Sequence, residues 1–234
     1  MRVGTDAAKA STAPARGEDV ALILNNGSVF LHVPKTGGSW VTSVLHDAGL
    51  VQREATKMHA DLDRFAMWIA SKNYRPGGRF LFCFVRNPVT WYESWFRFMS
   101  QPGIGWRDWG AVDSGFVGWH PNVMLNGVAH GDFDAFVRDV MRRRPGYATE
   151  MMGWYTKPSI SFVGRQETLR DDLIEALGRT GIRIDEDRVR SAAPVLVSDA
   201  APVVWDSKLK EEMARLEYAG LVRYGYSLEE TLGR

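Results

Sequence analysis

Residue types that bind anions are concentrated near the start of the chain, in the segment P-K-T-G-G-S-W at positions 34–40. Lys35 carries a full positive charge, and the hydroxyls of Thr36 and Ser39 can donate hydrogen bonds. Two consecutive glycines let the backbone approach an anion closely, and a helix that starts beyond them adds free N–H groups and its positive dipole end. The segment therefore predicts a phosphate-binding loop.

A second set of such residues lies in the segment R-N-P-V-T-W-Y-E-S, with Arg86 at its start and Ser94 at its end. A guanidinium group forms paired, charge-assisted hydrogen bonds with a phosphate, and a hydroxyl can satisfy one further oxygen. The arginine could equally pair with a carboxylate while the serine lies on a helix face. Taken alone, this segment leaves both interpretations open.

Each set follows an apolar run that predicts a strand and precedes a pattern that predicts a helix. Residues 80–85 show no polar alternation, which is typical of a strand covered on both faces of a parallel sheet. Asn87 is a suitable helix cap and Pro88 a suitable first helical residue. Ligands of open α/β sheets bind at the carboxyl ends of the strands, so both sets are expected at that edge.

The rest of the chain alternates in the same way. Helices are predicted over 40–48, 63–71, 89–99, 132–143, a stretch after Arg165, and 208–224, and strands over 29–33, 80–85 and 160–163. Residues 20–24 form a hairpin with the first strand or simply lead into it, residues 51–57 look irregular, and residues 180–206 look mostly like loop. The pattern predicts a three-layer α/β fold, with a central parallel sheet flanked by helices.

Composition limits the classes of partner and site. The formal net charge of +1 gives no reason to expect nucleic acid or a charged membrane surface. The single cysteine excludes an internal disulfide framework, and no apolar run approaches the roughly 20 residues that span a bilayer. We expect a cytoplasmic protein with a disordered leader over 1–18 and one domain over 19–234, in which residues 100–131 form a lid or acceptor loop.

The lysine-first order of the loop resembles the 5′-phosphosulfate loop, P-K-(S/T)-G-(G/T)-(S/T), of sulfotransferases that use 3′-phosphoadenosine-5′-phosphosulfate (PAPS). It differs from the nucleoside triphosphatase order, in which lysine follows the glycines. Residues 86–94 resemble the 3′-phosphate motif of the same family, R-(N/D)-P-x-x-x-x-x-S. The V-G-R-Q-E at 163–167 and the Y-G-Y at 224–226 resemble weaker segments of that family. The resemblance touches residues 28–226, in family order.

The resemblance implies the P-loop-like sulfotransferase fold and PAPS as the sulfuryl donor, with 3′,5′-adenosine bisphosphate as product. It implies a donor-binding set made of Lys35, Thr36, Gly37, Gly38, Ser39, Trp40, Arg86, Ser94 and Arg165. Lys35 would also take part in catalysis, because a lysine stabilises the charge that grows on the leaving phosphate. No metal is implied.

Sulfuryl transfer also needs a base for the acceptor hydroxyl, and histidine suits that role. His59 lies in a segment that resembles the H-A-D-x-x-E-L region of the heparan-sulfate 6-O-sulfotransferases, whose histidine acts as base, although residues 63–65 depart from that pattern. His120 and His130 are alternative bases, and the carboxylates of Glu54 and Asp61 are weaker ones. Two other histidines are expected elsewhere: His32 in the core and His46 on a solvated helix face.

The acceptor is described only by class: a carbohydrate, a glycolipid or a small hydroxylated metabolite. Six tryptophans between the two motifs and the third strand are either core packing or an acceptor platform, namely Trp91, Trp95, Trp106, Trp109, Trp119 and Trp154. Two other functions stay open. One is a kinase or nucleoside triphosphatase, and the other is a non-catalytic nucleotide-binding protein of the same fold. The oligomeric state is left open.

Overall fold

The computed structural model describes residues 21–56, 59–75, 80–101, 105–106, 120–128, 131–195 and 202–234. The predicted leader lies outside these residues, as does most of the predicted lid. So do three residues named above, Trp109, Trp119 and His130. None of the helices among the described residues has the length and apolar character needed to cross a membrane.

A five-stranded mixed sheet lies at the centre, in the order β3-β1-β2-β4-β5. The strands are β1 (Ala21–Leu24), β2 (Val29–Leu31), β3 (Val51–Ala55), β4 (Leu81–Val85) and β5 (Phe162–Arg165). Strands β2, β4 and β5 run parallel, whereas β1 is antiparallel to both of its neighbours. The expected parallel sheet is therefore confirmed for β2, β4 and β5, whereas β1 and β3 add an antiparallel part that makes the sheet mixed.

The length of one turn explains why the sheet is mixed. Only residues 25–28 separate β1 from β2, and Gly27 takes the left-handed conformation that tightens this turn (φ 80). A connection this short can join only antiparallel strands, since a parallel pair needs a crossover of a dozen or more residues. Of the two arrangements considered for residues 20–24, the hairpin is the one that forms.

Strand β3 replaces the irregular segment expected over 51–57. Its three central residues, 52–54, are exposed, and β1 is the only strand that it pairs with among the described residues. An edge strand with one face in water requires no run of apolar residues. The polar sequence of β3 therefore gave no strand pattern.

Ten helices surround the sheet in the described part of the chain. They are α1 (Gly38–Asp47), α2 (Leu62–Ser71), α3 (Pro88–Met99), α4 (Phe133–Arg143), α5 (Tyr147–Tyr155), α6 (Leu169–Arg179), α7 (Glu186–Ser191), α8 (Ser207–Leu216), α9 (Tyr218–Arg223) and α10 (Leu228–Leu232). Two short 3₁₀ turns add Pro121–Leu125 and Gln166–Thr168. Helices α5, α7 and α10 were not predicted, and the helix expected over 208–224 is divided into α8 and α9 at Glu217.

Two hydrophobic cores lie on opposite faces of the sheet. Helices α1, α6 and α7 pack on the face that carries Phe82 and Phe84, and α2 to α5, α8 and α9 pack on the face that carries Cys83 and Val85. All four of these β4 side chains are fully buried. The prediction that this strand is covered on both faces is therefore confirmed, and with it the helix–sheet–helix layering.

Candidate functional site

Three basic residues follow three neighbouring parallel strands. Lys35 lies shortly beyond β2, Arg86 comes directly after β4, and Arg165 is the last residue of β5. The register pairs Val85 of β4 with Arg165. The carboxyl ends of these strands share one edge of the sheet, so the chain gathers three positive charges where open α/β sheets bind their ligands.

The predicted phosphate loop leads directly into α1. Lys35 and Gly37 both take the left-handed conformation (φ 63 and 84), and Gly37 is the residue that caps the helix. The Thr36 hydroxyl is buried and donates to the Val33 carbonyl at 3.0 Å, so it holds the loop together. Ser39, half-buried in the first turn of α1, is then the hydroxyl donor that the loop can offer to a ligand.

The two glycines of the loop are packed closely against other elements. A Cβ atom at Gly38 would lie 2.0 Å from Cδ2 of His32, and one at Gly37 would lie 2.5 Å from Cδ2 of Leu169. Real Cβ atoms do not approach other atoms so closely. Because Gly37 and Gly38 lack side chains, the His32 ring and the start of α6 can pack directly against the loop. The same lack of side chains lets an anion approach the loop backbone.

Helix α3 supports the loop with aromatic side chains. The Trp91 indole donates to the Pro34 carbonyl at 2.9 Å, and the Lys35 ammonium lies 4.1 Å from the centre of the Phe98 ring. Trp91 and Trp95 are stacked and almost fully buried, so these two tryptophans pack the core. Phe98 was missed by the sequence reasoning, although its i, i+4, i+7 spacing from Trp91 and Trp95 places it on the same helix face.

Arg86 makes its closest described hydrogen bond to a residue that was not predicted. Its Nε donates to the Thr90 hydroxyl at 3.0 Å, and Ser94 lies one helical turn farther along α3. Burial lowers the pKa of the Arg86 guanidinium, and the nearby carboxylates of Glu167 and Glu93 act in the opposite direction. Arginine nevertheless stays charged in proteins, so a positive charge in this partly dry position gains from a bound anion.

Glu167 joins three segments that are far apart in the sequence. Its carboxylate accepts from the Asn87 backbone N–H at 3.0 Å and from the Tyr226 hydroxyl at 2.6 Å. The Arg165 guanidinium lies 5.8 Å from the centre of the Tyr226 ring. The R-N-P, V-G-R-Q-E and Y-G-Y segments therefore meet in one cluster, which sequence reasoning placed only by order along the chain.

His59 is buried and has a defined tautomer. Its Nδ1 lies 3.0 Å from the His32 carbonyl oxygen. A carbonyl can only accept, so Nδ1 carries a proton, and in a neutral ring Nε2 is the nitrogen without one. The Tyr155 hydroxyl donates to the His59 carbonyl, which fixes the backbone at a residue with positive φ (42). If the residue predicted as base accepts a proton, it therefore does so at Nε2.

Two further histidines lie around it. The His32 ring is buried, as expected, but it also stands edge-on to His59 with ring centres 4.6 Å apart. The His120 ring contacts His59 from another element, at 4.7 Å and 88°. Its Nδ1 accepts the Asn122 backbone N–H at 3.1 Å, which caps the 3₁₀ turn Pro121–Leu125.

The weaker candidates for the base have other roles. Asp61 caps α2 by accepting the Arg64 N–H at 2.9 Å, and its second oxygen pairs with the Arg64 guanidinium at 2.7 Å. Glu54 lies on β3, at the edge of the sheet farthest from β5, where it contacts His46 at 3.2 Å. Both are engaged in interactions that a structural role explains.

A groove of about 310 Å³ runs along α1 beside the loop. Its lining includes Trp40 of α1 and Arg188 and Val189 of α7. The Trp40 indole N–H is buried and has no hydrogen-bond partner among the described residues, and the Arg170 guanidinium lies 5.1 Å from the centre of the indole ring. Trp40 is thus the residue of the P-K-T-G-G-S-W segment that lines the groove.

Within the described ranges, no group of three or more His, Cys, Asp or Glu side chains is arranged to hold a metal ion. Comparisons of the chain with family models, with curated proteins and with solved structures give no match. A functional assignment must therefore be argued from the residues and geometry of the site itself.

Proposed function

We propose that the chain is a PAPS-dependent sulfotransferase with the P-loop-like sulfotransferase fold. The observation that carries the proposal is that Lys35, Arg86 and Arg165 lie at one edge of the sheet, and that the buried His59 is bonded to the carbonyl of His32, the residue directly after β2. Separate cationic positions suit a nucleotide with phosphates at two positions of its ribose, and the histidine suits the removal of a proton from a hydroxyl.

The donor set divides between two anionic groups. Lys35, Ser39 and the free N–H groups at the start of α1 would hold the 5′-phosphosulfate, and Gly37 and Gly38 leave their backbone open to it. Arg86 and Ser94 would hold the 3′-phosphate, with Thr90 orienting the guanidinium. Arg165 adds positive charge at the same edge, and the groove beside Trp40 offers a wall for the adenine.

The chemistry requires no group that the site lacks. The acceptor oxygen forms a bond to sulfur while the bond between sulfur and the 5′-phosphate oxygen breaks. The acceptor proton passes to His59 Nε2, and Lys35 stabilises the negative charge that grows on the leaving phosphate. The products are a sulfated hydroxyl, which belongs to a carbohydrate, a glycolipid or a small metabolite, and 3′,5′-adenosine bisphosphate.

Thermal unfolding with nucleotides tests the proposal without knowledge of the acceptor. At about 100 times its dissociation constant, 3′,5′-adenosine bisphosphate should stabilise the protein by about 2.7 kcal/mol. For a chain of this size that raises the Tm by about 5–10 °C. AMP, which lacks the 3′-phosphate, should give a much smaller shift. A shift with ATP and Mg²⁺ alone would favour the kinase reading and contradict the proposal.

Two variants assign the phosphate positions. Arg86→Ala should lose most of the preference for the bisphosphate over AMP, because the 3′-phosphate would lose its guanidinium. Lys35→Ala should weaken the binding of the bisphosphate and of AMP to a similar degree, since both nucleotides carry the 5′-phosphate. Arg179→Ala, at an exposed ion pair of α6, serves as a matched charge control and should leave both shifts unchanged. Equal bisphosphate binding by Arg86→Ala and the unaltered protein would refute the 3′-phosphate assignment.

A further inference from the structure

The turn that carries Arg86 and Asn87 is bonded to a residue close to the other end of the chain. The Asn87 Nδ2 donates to the Thr231 hydroxyl at 2.8 Å, across 144 positions of sequence. Asn87 is 7% exposed and Thr231 is 5% exposed, so water has little access to either side chain. Loss of one partner would leave the other buried without a hydrogen bond, which is costly. The bond therefore fixes the residue that directly follows Arg86.

The neighbours of this bond determine its direction. The Thr231 hydroxyl has one proton, which it donates to the Ser227 carbonyl at 2.7 Å. The hydroxyl can therefore only accept from Asn87, so the amide nitrogen faces Thr231. The amide oxygen then faces α3, where it accepts the Val89 N–H at 3.0 Å and caps the helix. A single orientation of Asn87 thus satisfies both α3 and α10.

Residues 225–232, here called the C-terminal segment, contact the candidate site at two further points. The Tyr226 hydroxyl donates to the Glu167 carboxylate at 2.6 Å, and this carboxylate also accepts a backbone N–H of the R-N-P turn. The Gly225 carbonyl accepts from the Arg165 guanidinium at 3.4 Å. The segment is therefore bonded to both the R-N-P turn and the V-G-R-Q-E segment.

Arg86 keeps part of its guanidinium available for a ligand. Its Nε donates to Thr90, and its Nη groups have no hydrogen-bond partner in the part of the chain that the structure describes. A planar guanidinium forms paired bonds with a phosphate only when its plane is correctly oriented. The Arg86 backbone is held on one side by β4 and on the other side by Asn87. A change at Thr231 would therefore reach the guanidinium through a single side chain.

We propose that Thr231 is a positioning residue, which holds Asn87 and thereby orients Arg86 to bind a phosphate at the 3′ position of the nucleotide. This inference rests on the proposed function. The C-terminal segment then contributes to donor binding, although Thr231 does not contact the donor. Because coupling between two equilibria is reciprocal, a bound 3′-phosphate in turn holds the C-terminal segment in place.

Two substitutions at Thr231 test this role through the preference for 3′,5′-adenosine bisphosphate over AMP. Thr231→Val keeps the shape of the side chain and removes the acceptor of Asn87, so we expect calorimetric titration to show a preference about 10-fold smaller. The affinity for AMP should not change, since AMP has no 3′-phosphate. Thr231→Ser keeps the hydroxyl and should restore the preference. An unchanged preference in Thr231→Val would overturn the proposal.

Thr149→Val is the matched control for a general loss of stability. The same substitution there removes a half-buried hydroxyl of α5, which donates to Glu217 and has no bond to the R-N-P turn. We expect Thr149→Val to lower the Tm and to keep the full preference for the bisphosphate. If Thr149→Val loses the preference as Thr231→Val does, the effect is one of stability and the positioning role is refuted.

Hydrogen exchange on the unaltered full-length protein tests the reciprocal effect without any substitution. We expect the amides of α10 to exchange about 10-fold more slowly when the protein is saturated with the bisphosphate than when it is saturated with AMP. Thr231→Val should reduce this difference. Equal exchange of α10 with the two nucleotides would contradict the coupling between the C-terminal segment and the 3′-phosphate.

The pattern of results separates this inference from the proposed function. If the unaltered protein binds neither nucleotide, or binds both equally well, the 3′-phosphate assignment fails and the role of Thr231 fails with it. If the unaltered protein prefers the bisphosphate and Thr231→Val prefers it as strongly, only the role of Thr231 is wrong. A preference that is reduced in Thr231→Val, restored in Thr231→Ser and kept in Thr149→Val supports both.

Discussion

The loop between β2 and α1 has no room for a side chain at Gly38, because the His32 ring occupies that position. Gly38→Ala should therefore cost about 1–3 kcal/mol of folding free energy, as overpacked sites do. It should also weaken bisphosphate binding, since relief of the clash displaces either the loop or His32. Chemical denaturation and nucleotide-dependent Tm shifts measure the two effects.

Gly178 provides the matched control for that prediction. It lies in α6 with open space at its Cβ position, so Gly178→Ala should stabilise the helix by up to about 1 kcal/mol and leave nucleotide binding unchanged. If Gly38→Ala proves as stable as Gly178→Ala and binds the bisphosphate equally well, the packing of His32 on the loop has been misjudged.

Single residues of the site differ in how far the sequence could predict them. Lys35 and Arg86 follow predicted strands, so a pattern of apolar runs was enough to expect them at one edge, whereas Arg165, the last residue of β5, entered the predicted set only through the resemblance. Glu167 and Phe98 act through contacts with distant parts of the chain, which no local pattern encodes. The contact between His59 and His120 could not be predicted from a local pattern either, because three separate segments of the chain bring these rings together with His32.

At the scale of elements, one buried carboxylate connects three helices. Glu217 lies between α8 and α9, and its oxygens accept from the Ala148 and Thr149 N–H groups at 3.2 and 2.9 Å and from the Tyr92 hydroxyl at 2.5 Å. Helix α5 begins at Tyr147, and the preceding Gly146 has no side chain to cap it, so Glu217 accepts from the free N–H groups of the first turn. It also lies at the junction of α8 and α9, where the long helix that periodicity predicted is divided.

Replacement of this carboxylate tests its role. Glu217→Gln puts an amide NH₂ among groups that donate, so buried donors lose their acceptor. We expect a loss of about 1–3 kcal/mol of folding free energy, measured by urea denaturation. Glu212→Gln, at an exposed position of the same helix, should change stability by less than about 0.5 kcal/mol. Equal stability of the two variants would contradict the capping role.

Comparison of the unaltered protein with Glu217→Gln also tests how the difference in their stability changes with pH. Burial raises the pKa of Glu217 above its ordinary value of 4.5, and the hydrogen bonds from Thr149 and Tyr92 oppose this rise. A raised acid pKa contributes stability that is complete below the unfolded value and is lost as the pH rises through the folded value. The advantage of the unaltered protein over Glu217→Gln should therefore shrink from pH 4.5 upwards. A growing advantage would reverse the assigned direction.

Two causes explain why the sequence failed to predict certain elements. Helix α5 starts at Tyr147, two residues after the Pro145 that ends the pattern of α4, so the residues that signal the end of one helix concealed the start of the next. Strand β3 and the antiparallel placement of β1 depend on which edge of the sheet each strand occupies. Periodicity describes the environment of a segment, and it does not describe the neighbour that the segment pairs with.

At the scale of the whole molecule, the candidate site lies at the carboxyl edge of the sheet, whereas the hydrophobic cores cover the middle of the sheet. The carboxyl edge carries the charged loop residues, while the middle of β4 is sealed between the two hydrophobic cores. A ligand that bound Lys35, Arg86 and Arg165 would contact the ends of β2, β4 and β5 together. Binding should therefore stabilise the parallel half of the sheet as a unit, including parts that no ligand reaches.

Cys83 reports on that coupling because it lies in the sealed part of β4 and is the only cysteine of the chain. Burial raises the pKa of its thiol to about 12, so the native protein presents no thiolate near neutral pH. A disulfide reagent should react only when β4 opens. Saturation with 3′,5′-adenosine bisphosphate, at about 100 times its dissociation constant, should slow this reaction about 100-fold. Met67→Cys adds an exposed thiol on α2 that should react at once, with or without nucleotide. Rapid labelling of Cys83 in the native protein, unaffected by the bisphosphate, would mean that β4 opens independently of the site at its carboxyl end.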